Sequence, residues 1–251
     1  MRDKRTIEIL IVGILLACSS ALILSHLGNI YLWQDEAQTA LISKTILTHQ
    51  VPVGYDGTNY FSQLKGAEYG KDYVWKWHPW LPFYVLAGFF AGFGTSTFVA
   101  RLAFALFGIG TIILTYFCGK SLWKVRRVGV LAAVVLLTSV PFLILVRQCR
   151  YYAPMMLFSV AGLYAYTGIL ERRKYGPTAF LISGVLLFHS HPSVGYVARF
   201  VNGLSVTSHA SRRSTFEPQR KSIHPDIYRQ VDQPEDGCEG DDQGAEGRAE
   251  A

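Results

Sequence analysis

Charged side chains are scarce in this 251-residue chain: Asp, Glu, Lys and Arg make up 17% of it, against about 25% in an average soluble protein. Set beside 50% hydrophobic residues, that shortage argues against a soluble globular domain. Cysteine is sparse as well. Cys18, Cys118, Cys149 and Cys238 share no paired or metal-type spacing, so nothing implies a disulfide framework, and Cys18 and Cys118 lie in apolar runs as small hydrophobes. No basic patch is interleaved with exposed aromatics. The net charge of +6 is therefore no sign of nucleic-acid binding.

What is present is a series of apolar runs. The first, residues 7–27, has no charge after Glu8 and has roughly the 20 residues a helix needs to cross a hydrocarbon layer. The basic start, Arg2, Lys4 and Arg5, would also suit a signal peptide, but the length and the lack of a clean small-residue cleavage site favour a retained anchor. Further runs at about 98–119, 128–146, 154–170 and 177–191 make five expected spans. A shorter run at 79–94, with two prolines and three glycines, suits an interfacial or re-entrant helix. Basic residues cluster at 2–5, 120–127 and 171–176. All three clusters fall on one side only if 79–94 does not span, which puts the N-terminus in the cytoplasm and residues 28–97 in one large external loop. The expected fold class is an all-α polytopic membrane protein of the cell's inner or plasma membrane.

Near residue 192 the composition changes. Residues 193–251 carry 7 Lys and Arg against 10 Asp and Glu and show neither helical nor strand periodicity. The chain thus divides into a transmembrane part, 1–192, and a polar tail, 193–251. Two explanations of the tail stay open: disorder, or loss of the coding frame near 192–200, which would make the chain the truncated front part of a longer membrane protein.

Five of the eight acidic residues of 1–192 fall in the external loop: Asp35, Glu36, Asp56, Glu68 and Asp72. The segment "DEAQTALISKTILTHQ" reads as a helix beginning at Asp35 and stopping before Pro52, with Gln38 placed as in a capping box. Asp35 is then either the helix cap or a carboxylate held toward an external cavity as general base or metal ligand. "WKWHPWLPFY" sets His78 among three tryptophans. Arg101 stands at the outer end of the second span, where an unpaired arginine is costly, and "VRQCRYYAP" puts Arg147 and Arg150 in a short external loop. Acidic groups and arginines at one interface fit an anionic, membrane-held substrate such as a lipid phosphate. For each arginine the alternative is headgroup anchoring, and for the tyrosines beside Arg150 a place in the aromatic belt.

The order of "WQDEAQTALISKTIL", "WHPWLPFYVL", "ARLAFALFGIGTIILTYFCGKSLW" and "RQCRYYAPMMLFSVAGLYAY" resembles the N-terminal half of the GT-C glycosyltransferases of the protein O-mannosyltransferase and aminoarabinose transferase type, over roughly residues 7–191. The resemblance implies an enzyme that passes a hexose or pentose, with inversion, from a polyprenyl-phosphate carrier to a lipid, glycan or protein acceptor on the extracytoplasmic face. It implies catalytic carboxylates at Asp35 and Glu36, either as general base or in positioning the acceptor and a divalent metal. It further implies donor-phosphate contacts at His78, Arg101, Arg147, Arg150 and His189; a metal site at His189 and His191 is disfavoured because i and i+2 do not share a helix face. Some relatives have an aspartate where this chain has "RQCRYYAP". The alternative is a non-enzymatic polytopic protein, a transporter segment or a structural subunit, in which Asp35 and Arg101 pair; its charges would more often sit mid-span.

Overall fold

The computed structural model describes residues 2–191, and the expectations for the tail lie outside them. Among the described residues the fold is all-helical: α1 (Arg2–Leu24), α2 (Gln34–His49), α3 (Leu81–Phe93), α4 (Thr97–Trp123), α5 (Arg126–Leu137), α6 (Val140–Val146), α7 (Tyr152–Leu170) and α8 (Gly176–Phe188). Among the described residues, three helices are long and apolar enough to cross a membrane: α1 from Arg5, α4 and α7. The run expected as a single span at 128–146 is instead two helices, α5 and α6, bent by 69°. Pro141 explains the break. It sits in the first turn of α6, where its missing N–H costs nothing; inside a continuous helix the same residue would remove a bond and clash with the preceding turn. If the bent pair counts as one, there are four spans. The expected fifth, α8, is a 13-residue helix about 20 Å long, shorter than the hydrocarbon layer. The same length applies to α3, the run read as too short to span.

Helix α4 is the axis. Half of its apolar stretch is buried, against 17% for α1, because α1, α3, α5 and α7 all pack on it. The contacts depend on small residues: a Cβ on Gly129 of α5 would lie 2.4 Å from the Tyr116 carbonyl of α4, and one on Gly108 would lie 2.6 Å from Val146. The outward faces of α1, α5, α7 and α8 expose Leu10, Leu131, Leu163 and Leu181, the surface a lipid environment covers.

Polar contacts mark the two ends of this bundle. At one, Lys120 pairs with Glu8, Lys124 with Glu171, and Ser121 hydrogen-bonds Thr167 at 3.0 Å, so the basic segments at 2–5, 120–127 and 171–174 gather together. At the other lie the C-terminus of α1, the whole of α2 and the α6–α7 junction. Between α2 and α3, residues 50–80 fold back through three isolated antiparallel bridges, including Val53 with Val74. A small second core of Ile42, Ile46, Trp75, Phe83 and Ala87 pins this loop to both helices.

Candidate functional site

Asp35 and Glu36 sit in the first turn of α2, where the partial positive charge of the helix N-terminus favours carboxylates. The helix starts one residue earlier than the sequence suggests. Trp33 is the N-cap, and Glu36, not Gln38, reaches back to accept its backbone N–H at 3.4 Å. Asp35 therefore does not cap the helix, and its carboxylate is free for tertiary partners.

The two neighbours have opposite environments. Glu36 is fully buried, and its oxygens accept Arg101 Nε at 3.0 Å, Arg101 Nη2 at 2.6 Å and the Cys149 backbone N–H at 2.7 Å. Arg101 is equally committed. Its Nη1 donates to the carbonyls of Leu27 and Ile30 and its Nη2 also to that of Tyr31, which with the two Glu36 bonds uses all five guanidinium donors. This cluster ties the turn after α1, the start of α2, the head of α4 and the α6–α7 junction to one point.

Asp35 is 26% exposed and keeps lone pairs available. Its Oδ2 lies 3.0 Å from Arg150 Nη2, and its Oδ1 accepts Gln63 Nε2 at 3.0 Å. Arg150 is buried. Its Nη1 also donates to the Asp35 backbone carbonyl at 3.2 Å and its guanidinium lies 4.9 Å from the Tyr151 ring, while its Nε is buried without a partner among the described residues. Gln63 is positioned by Glu68, a buried carboxylate that accepts Ser62 Oγ at 2.6 Å and the backbone N–H groups of Gln63 and Leu64 at 2.6 and 2.8 Å. Burial raises the Glu68 pKa, but these hydrogen bonds outweigh it and leave the carboxyl below its ordinary value.

His78 stacks on Trp75 with 8° between the ring planes and lies 5.5 Å from Tyr151, which His191 meets edge-on at 4.6 Å. Desolvation, reinforced by the Arg150 charge, lowers the His78 pKa to about 4. It is therefore a neutral imidazole at pH 7. Burial lowers His191 as well.

Arg147 stands apart. Nη1 and Nη2 donate to the carbonyls of Leu22 and Ser25 at the end of α1, at 3.2 and 2.6 Å, and no described carboxylate pairs with it. It lines a cleft of about 370 Å³ whose walls include Leu143 and Ile144 and whose floor includes Glu36 and Arg101. His189 is exposed, and its ring meets that of Phe188.

Of the sequence-derived residues, the structure thus gathers Asp35, His78 and Arg150 in one group. It joins Glu36 to Arg101 in another, sets Arg147 on the apolar cleft, and leaves His189 outside. Gln63, which the sequence reading did not single out, joins the first group, as do Tyr151, read as a belt residue, and His191, the partner of His189 in the HSH pair. The sequence reads 177–191 as one span, but α8 ends at Phe188 and His191 lies beyond it, against Tyr151. Among the described residues no group of three or more His, Cys, Asp or Glu is arranged to hold a metal ion.

A family model described as dolichyl-phosphate-mannose-protein mannosyltransferase matches residues 77–202, half of the chain. No curated protein and no solved structure matches it significantly.

Proposed function

The chain belongs to the dolichyl-phosphate-mannose-protein mannosyltransferase family, a GT-C type of membrane glycosyltransferase, and on that premise we propose that it transfers a sugar from a polyprenyl phosphate to an acceptor hydroxyl with Asp35 as general base. One observation carries this reading: an accessible carboxylate, fixed at 3.0 Å by a buried arginine, at the same end of the bundle as an arginine-lined cleft with apolar walls.

Each group then has a task. Arg147 lacks a carboxylate partner close to hydrocarbon, where an unneutralised guanidinium is costly. The donor phosphate supplies the missing counter-charge, with the polyprenyl chain along Leu143 and Ile144 of the same cleft. The acceptor oxygen attacks the anomeric carbon in line, its proton passes to Asp35, and the electron pair of the breaking carbon–oxygen bond leaves on the lipid phosphate. Inversion follows from the single displacement. Arg150 holds one Asp35 oxygen at 3.0 Å and Gln63 the other at 3.0 Å, which fixes the carboxylate's direction. His78, neutral at pH 7, serves as a hydrogen-bond donor beside Arg150 and Tyr151 rather than as a cation. Glu36 and Arg101, with their bonding groups occupied, position Asp35 through the first turn of α2. By the positive-inside rule the basic end is cytoplasmic, so this chemistry faces the extracytoplasmic side.

Binding of a short-chain polyprenyl phosphate to the full chain in detergent tests the reading. Arg147→Gln should weaken it at least tenfold, in line with about 1.5–3 kcal/mol for a hydrogen bond to a charged group, while Asp35→Asn leaves it within about twofold. Equal binding by the Arg147→Gln and unmodified chains would remove the phosphate site from this cleft.

A further inference from the structure

The end of the bundle opposite Asp35 carries a second polar cluster that sugar transfer does not use. A cleft of about 500 Å³ there is lined by Lys120, Lys124, Arg126 and Arg173, with Glu171 and Tyr164 between them. Glu171 is shared by Lys124 and Arg173, and Glu8 pairs with Lys120, so three cations meet two carboxylates. Arg127, Arg172 and Lys174 follow close by in sequence and extend the positive field.

This basic cleft adjoins an apolar one. A groove of about 340 Å³ runs between α4, α7 and α8 past Leu114, Ala161, Ala165, Gly168 and Ala179, and it shares Tyr164 and Arg173 with the basic cleft. Small side chains leave the groove open along its length. At the junction Arg173 is held in place: it donates to Tyr164 Oη and Ser121 Oγ, each at 3.1 Å, and its guanidinium lies 5.3 Å from the Tyr164 ring. A free phosphate would use the cationic cleft alone, and a lipid with a neutral headgroup would use the groove alone.

We infer that this joined site binds one anionic phospholipid, its phosphate among Lys120, Lys124, Arg126 and Arg173 and one acyl chain in the groove between α7 and α8. Basic pockets between membrane helices hold anionic headgroups by the same electrostatics. The occupant bridges the ends of α4 and α7 to α8, which otherwise packs mainly on α7.

Native mass spectrometry of the full chain in detergent tests this without reference to sugar transfer. The probes are dioleoyl-phosphatidylglycerol and dioleoyl-phosphatidylcholine, with inorganic phosphate as competitor. The unmodified chain should retain phosphatidylglycerol roughly tenfold better, and Lys124→Gln with Arg126→Gln should reduce that preference to about twofold, as expected when two cations beside an anionic lipid are removed. Ala179→Trp, an exposed substitution that fills the groove, should weaken retention severalfold. Helicity and elution volume check that the variants fold. Equal retention of the two lipids by the unmodified chain, or a preference untouched by the double substitution, would overturn the inference. So would displacement by millimolar phosphate together with indifference to Ala179→Trp, which would mark a free-phosphate cleft.

Discussion

Asp35 and Glu36 show how little a residue's identity fixes its role. They are adjacent and share the helix N-terminus, yet Glu36 is fully buried against Arg101 while Asp35 stays partly exposed beside Arg150. A carboxylate with all its oxygens committed holds structure together, whereas one with spare lone pairs can take a proton. His78 makes a prediction at the same scale. Desolvation first, then the Arg150 charge, place its folded pKa near 4, below the unfolded 6.5, so the fold favours the neutral ring. Its stabilising contribution is complete above pH 6.5 and is lost as the pH falls toward 4, by up to about 3 kcal/mol if the full shift is realised. Unfolding followed by tryptophan fluorescence should therefore lose stability over that range, and His78→Gln should flatten the slope. An unchanged slope would assign the acid sensitivity to another group. Glu68, with its lowered pKa, acts in the same direction at lower pH, since protonation releases its hold on Gln63.

At the scale of elements, the Glu36 and Arg101 pair joins the turn after α1, the head of α4, the start of α2 and the α6–α7 junction. Glu36→Gln leaves the largely buried Arg101 guanidinium without its counter-charge and should cost about 3 kcal/mol, seen as a lowered unfolding midpoint in detergent. Retained stability would mean that the carbonyls of Leu27, Ile30 and Tyr31 suffice for Arg101. Much of the element plan was legible in the sequence, since apolar runs report helices directly, but 128–146 reads as one span and the structure breaks it at Pro141. The partners of the two carboxylates were not. Arg101 lies 65 residues beyond Glu36 and Arg150 lies 115 beyond Asp35, and their pairing depends on how α4 and α7 pack, which periodicity does not encode. Arg147 was legible as a cation in a short external loop, but its bonds to the α1 carbonyls required the packed structure.

For the whole molecule, the bundle separates two kinds of polar surface. Among the described residues, one end gathers the basic segments and their clefts; the other holds Asp35, Arg150 and His78 and, apart from them, the cleft of Arg147. The most direct test of the account is single-turnover transfer of labelled sugar from a polyprenyl-phosphate donor, comparing the full chain with Asp35→Asn at matched donor occupancy. Loss of the general base should slow the transfer step by roughly 10²–10⁴-fold while donor binding and the unfolding midpoint stay close to those of the unmodified chain. Transfer at an undiminished rate by Asp35→Asn would contradict the assignment of Asp35 as the base.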